Sequence, residues 1–115
     1  MWIVKIGGSW INNPNLSSLI KNLQRLSNKD NIIIVNGGGI FSDSVRLVYE
    51  NKRMSEKTGN YIALKATELF SHLLKEIDKN ICLVDDIESL RFSNKMLKIW
   101  LPSIILKNDS TFIKN

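Results

Sequence analysis

Two glycine clusters and one lysine in this 115-residue chain have the types and spacing to handle an anion. Lys5 interrupts an apolar run, Trp2-Ile-Val-Lys-Ile6, that ends at Gly7-Gly8-Ser9. A second run, Ile32-Ile-Ile-Val35, leads through Asn36 to Gly37-Gly38-Gly39. Glycine lets the backbone take positive φ and approach a ligand closely. Exposed N–H groups at a strand-to-helix turn cradle phosphate oxygens, and the following helix terminus adds a favourable dipole. An ammonium group near the strand end, that of Lys5, would balance the charge of a phosphoryl group there. Either cluster alone suits an ordinary tight turn. Their placement after successive buried-type strands, with Lys5 just before the first, favours anion contact. Neither is a Walker A loop or a Gly-x-Gly-x-x-Gly fingerprint.

Other reactive side chains have plainer roles. His72 follows Glu68 by four residues, which suits a solvent-side polar pair on a helix; without further ligands it makes no metal site. Cys82, the sole cysteine, lies in Ile-Cys-Leu-Val and is expected as a small buried hydrophobe. Asp85 and Asp86 follow that run and suit a solvated turn better than a magnesium site. Trp2, Trp10 and Trp100 are not spaced as a stacking platform, and core packing is favoured even for Trp10, which follows Gly8-Ser9.

The elements that must position the clusters are legible from periodicity. Residues 2–6, 32–35 and 81–84 are short, mostly β-branched runs of the kind found in parallel strands buried on both faces. A charge at Ile33 or Ile34 should be poorly tolerated. Leu16, Leu19, Ile20, Leu23 and Leu26 form a helical stripe after Pro14, and Phe41, Val45 and Val48 another within 40–50. The longest helix is expected over 60–78, with Ile62, Ala66, Leu69, Phe70, Leu73 and Ile77 on one side. Residues 96–101 read as a fourth strand before Pro102, and 104–106 as a short turn or helix. The alternation predicts an α/β fold with an open, mainly parallel sheet between helical layers. In such a sheet both glycine turns emerge at the carboxyl ends of their strands and share a crevice.

Sixteen Lys and Arg against eleven Asp and Glu give a formal charge of +5, scattered along the chain. That suits a solvated basic surface or attraction of small anions, not the concentrated stripe of a nucleic-acid interface. No apolar run reaches the length of a membrane span, and the first nine residues do not form a secretory leader. A cytoplasmic protein that binds neither membrane nor nucleic acid is expected. Length and the single cysteine leave room for one domain without a disulfide framework.

The two clusters, as Val4-Lys-Ile-Gly-Gly-Ser9 and Val35-Asn-Gly-Gly-Gly-Ile-Phe-Ser-Asp-Ser-Val-Arg46, resemble the amino-acid kinase superfamily of acetylglutamate, aspartate and uridylate kinases. Within it, the second segment is most similar to the branch that phosphorylates aminomethyl-furanmethanol phosphate in methanofuran biosynthesis. Met54-Ser-Glu, Ala63-Leu-Lys-Ala66 and Leu101-Pro-Ser-Ile-Ile-Leu-Lys-Asn-Asp109 follow the same order. The resemblance covers nearly the whole chain.

The resemblance implies a transfer of the ATP γ-phosphoryl group, with Mg²⁺, to a small phosphorylated or carboxylated acceptor. Lys5 would neutralise the phosphoryl group in flight. Backbone N–H groups of Gly7, Gly8 and Gly38 would hold phosphate oxygens, Gly37 and Gly39 would shape the turn, and Ser9 would add a hydroxyl. Asp43 and Arg46 would lie on the acceptor side; a surface ion pair is the alternative. No metal ligand is assigned. The whole chain, 1–115, corresponds to the amino-terminal, acceptor-side part of an incomplete amino-acid-kinase-like fold, without the nucleotide-binding half. A homodimer or a complementary polypeptide is the implied partner, and the chain alone is expected to be inactive. The alternative is a noncatalytic phosphate-binding or subunit-interaction module derived from such a kinase.

Overall fold

Four short, mostly apolar runs become four strands because their apolar side chains can be buried only when the runs lie side by side. In the computed structural model, which describes residues 1–52, 54–92 and 94–103, these are β1 (Trp2–Ile6), β2 (Ile32–Asn36), β3 (Cys82–Val84) and β4 (Lys98–Trp100). All are parallel, in the order β1-β2-β4-β3. The register sets Ile33 between Ile3 and Lys98, and Ile34 between Val4 and Ile99. Ile34 and Ile99 are fully buried and Ile33 nearly so, which agrees with the expected intolerance to charge at Ile33 and Ile34.

Helices fill the crossovers. After a 3₁₀ turn, Gly8–Asn12, the chain enters α1 (Leu16–Leu26). Asn13 Oδ1 accepts from Asn15 N–H at 2.8 Å, taking up one of the donors that a helix start leaves free. Next come α2 (Ile40–Lys52), α3 (Glu56–Ile77) and the short α4 (Ile87–Arg91). Ser55 caps α3 by accepting from Thr58 N–H at 3.2 Å, and Asp86 caps α4 through Ser89.

One sheet face is sealed by α1 and α3. Leu16, Ile20 and Leu23 meet Phe70 and Leu74 over Ile6, Ile32, Ile34 and Ile99, with Leu97 and Ile81 completing the cluster. On the opposite face Lys98 is buried next to the groove beside α4, whereas Ile3 and Lys5 of β1 are exposed. The expected apolar side of α3 is split. Ala66 and Phe70 are buried as expected, but Leu69, Leu73 and Ile77 are exposed, and the buried Leu74, Ser71 and Glu68 replace them. The helix is rotated so that a polar turn faces inward. The expected turn at 104–106 lies outside the described residues.

Candidate phosphate-binding crevice

Parallel pairing of neighbouring β1 and β2 delivers both glycine turns to one edge of the sheet. The ladder runs past the last strand residues, with Gly37 N–H donating to the Ile6 carbonyl at 2.9 Å. From there the turns pack backbone on backbone. A Cβ on Gly37 would lie 3.0 Å from Gly8 N, and one on Gly39 would lie 2.8 Å from the Gly8 carbonyl oxygen. Gly39 has φ +55°, a left-handed conformation that favours glycine. The sequence thus brings together two turns that are 30 residues apart from Gly8 to Gly38.

The donors in these turns are available. Among the described residues, no hydrogen bond takes up the N–H of Gly8, Ser9, Gly38 or Gly39. The Gly38 carbonyl accepts from Phe41 and Ser42 N–H at 3.0 and 3.4 Å, and the Gly39 carbonyl from Asp43 at 3.2 Å. These bonds begin α2, so its positive end opens at the Gly38-Gly39 turn. Backbone donors with no internal acceptor beside a helix N-terminus suit an oxyanion.

The side-chain candidates lie on the elements that flank these turns. Lys5 is exposed, one residue before Ile6 and paired in register with Val35. Ser9 is exposed in the 3₁₀ turn. Asp43 and Arg46 form an i,i+3 pair at 3.7 Å with both side chains about 70% exposed. Their partner in this structure is each other. Arg46 also lines a groove of about 430 Å³ between α2 and α3, with Tyr49, Glu56 and Asn60.

Sequence reasoning missed a buried polar network under the crevice. Glu68 and His72 are not a solvent-side pair: His72 is exposed, but Glu68 is 8% exposed. Its carboxylate accepts from Ser103 N–H and Ser103 Oγ, both at 2.9 Å, and from Lys65 at 3.3 Å. Asn36, Thr67 and Ser71 form the adjoining part. The available signal was a Thr67-Glu68 and Ser71 set at helical spacing, which marks a polar stripe without saying which way it faces. Cys82 is half-buried on the edge strand β3, more open than expected, with Sγ 3.6 Å from Met96 Sδ. Asp86 is engaged as the α4 cap, and Trp10 packs against the core. Among the described residues no three His, Cys, Asp or Glu side chains are grouped to hold a metal. Nor is any helix there long and apolar enough to cross a membrane.

No family model matches the sequence. The chain is 33% identical over 109 residues to a [5-(aminomethyl)furan-3-yl]methyl phosphate kinase of Methanocaldococcus jannaschii, an alignment covering 92% of this chain and 50% of the relative. Its fold superimposes on uridylate kinase from Archaeoglobus fulgidus with a TM-score of 0.70 and 22% identity, over 87% of this chain and 50% of that one. The chain spans about half the length of these relatives. The resemblance carried by the two glycine clusters is borne out, and so is the parallel α/β architecture. The chain is amino-acid-kinase-like in both sequence and fold, over half the length its relatives have.

Proposed function

We propose that the chain supplies the acceptor-side half of a cytoplasmic, ATP-dependent phosphotransferase. The observation that supports this most is the packing of the Gly8 and Gly39 turns, with unclaimed N–H groups at the start of α2. Phosphoryl transfer needs positioning and charge stabilisation more than covalent chemistry from the protein. Gly7, Gly8 and Gly38 hold phosphate oxygens, with Gly37 and Gly39 shaping the turn and Ser9 adding a hydroxyl. Lys5 offsets charge on the group in transfer, and Asp43 with Arg46 orients the acceptor. The acceptor oxygen bonds to the γ-phosphorus as the bond to the bridging oxygen breaks, and ADP leaves. The described residues offer no cation cage of their own, so magnesium is expected to enter on the nucleotide's phosphates.

The acceptor we favour is aminomethyl-furanmethanol phosphate, on the strength of the Methanocaldococcus relative's name. The chain spans half of each relative, so turnover is expected to draw on the half of the fold that these residues do not span. The test is ATP-dependent product formation by this chain, with and without an added polypeptide that carries the remaining half of the fold, at saturating ATP and magnesium. Product only in the mixture supports the proposal; none in either mixture rejects it for that acceptor.

The unclaimed N–H groups of the packed glycine turns equally suit a second reading, a noncatalytic phosphate-binding or subunit-interaction module. It predicts anion binding or dimerisation without turnover in any mixture.

A further inference from the structure

The turn after β2 is held by a side chain to which the phosphate site gives no role. Asn36, the last residue of β2, is 8% exposed, and its carboxamide is engaged at both ends. Nδ2 donates to the Gly37 carbonyl at 3.0 Å and to the Thr67 carbonyl at 2.8 Å. Oδ1 accepts from the Ser71 hydroxyl at 2.9 Å. Two carbonyl acceptors at one end fix which end carries the nitrogen.

The consequence follows from peptide geometry. In a trans peptide the carbonyl and the next N–H point in opposite directions, and none of the described peptide bonds is cis. Holding the Gly37 carbonyl against Asn36 Nδ2 therefore turns the Gly38 N–H away from the carboxamide. That N–H meets no acceptor among the described residues. Thr67 and Ser71 belong to one turn of α3, and Glu68 in the same turn holds Ser103, just beyond β4. One helical turn thus grips the chain at the carboxyl ends of both β2 and β4.

We propose that Asn36 is a positioning residue: acting through the Gly37 carbonyl, it aims the Gly38 N–H at a phosphate oxygen, and the Thr67–Ser71 turn of α3 sets that aim. The proposal rests on the phosphate-binding role of the glycine turns. It adds α3, far from either turn in sequence, to the parts that determine anion affinity.

The test uses the whole ¹⁵N-labelled chain titrated with inorganic tripolyphosphate, following affinity and the amide shifts of the two glycine turns. Asn36→Leu keeps the approximate size of the side chain and removes both ends of the network without adding charge. The expected result is about a tenfold loss of affinity, the scale of one well-formed hydrogen bond to a charged group. The Gly38 amide response should collapse while those of Gly8 and Ser9 persist. That selectivity is a signature that general loosening of the fold would not give. A folded Asn36→Leu protein with unchanged affinity and an unchanged Gly38 response overturns the proposal. Ser71→Ala is the second variant, needed if Asn36→Leu fails to fold. It should weaken binding about two- to fivefold by freeing the carboxamide, and an unchanged Gly38 response there also overturns the proposal. If no amide of either turn in the unsubstituted protein responds, the phosphate-binding reading itself fails and this proposal falls with it.

Discussion

The amide nitrogen of Gly39 lies where a methyl group on Gly8 would need to be: an added Cβ would approach it to 2.4 Å. The obstacle is backbone, with no flexible side-chain end to swing aside. Gly8→Ala should separate the two turns and cost about 1–3 kcal/mol, as overpacking does elsewhere. Gly7 is the internal control, since a Cβ there meets nothing within 4 Å. Gly7→Ala should stay within about 0.5 kcal/mol of the parent. Urea unfolding of the two variants side by side checks the contrast.

Lys5 is exposed on β1, so its removal should barely change stability, by less than about 0.5 kcal/mol. If it serves the phosphoryl group, Lys5→Ala should weaken tripolyphosphate binding about tenfold or more, as loss of a charge-assisted hydrogen bond does. Calorimetric titration measures this directly. Unchanged affinity would remove Lys5 from the site.

The Asp43–Arg46 pair is open to solvent on both sides. As an ion pair on a helix face it contributes only a few tenths of a kcal/mol. Asp43→Asn should therefore leave the unfolding midpoint in place. In a reconstituted kinase it should raise KM for the acceptor and leave KM for ATP unchanged. Equal effects on both would argue against an acceptor-side role.

Lys98 gives a pH signature. It is 1% exposed, and its ammonium donates to Asn31 Oδ1 at 2.8 Å and to the Phe92 carbonyl. Burial lowers its pKa below the ordinary 10.5, with the neighbouring Cys82 acting in the opposite sense. A lysine whose folded value is lowered binds its proton more tightly in the unfolded chain. Stability from this group therefore rises as pH climbs from the lowered value towards 10.5. Urea midpoints measured between neutral pH and 10.5 should rise relative to those of Lys98→Met, which lacks the titration.

Strands and crevice were legible in the sequence because their signals are local. Continuous β-branched runs specify buried parallel strands, and glycines at the ends of two of them mark where the chain turns sharply out of the sheet. The rotation of α3 was not legible. Leu69 and Leu73 fit an apolar stripe as well as Phe70 and Leu74 do, and only the sheet decides which pair is buried. Glu68 deceived for the same reason. A carboxylate on a helix reads as solvent-facing until a distant partner is known, and Ser103 lies 35 residues away. The exposure of Ile3 was also hidden, since an apolar run does not reveal that its strand lies at the sheet edge.

The strand order carries a consequence for how the fold assembles. β4 lies between β2 and β3, so among the described strands β3 has no neighbour until β4 has arrived. β1 and β2 can pair as soon as α1 is formed, and that pairing already joins the two glycine turns. Closing the remainder requires contacts such as Ile34 with Ile99, across a long stretch of chain, and long-range closure of this kind is slow. The crevice between the glycine turns should thus exist in outline before the four strands are all paired. Pulse-labelled hydrogen exchange would show it as protection at Ile34 and Gly37 preceding protection at Cys82.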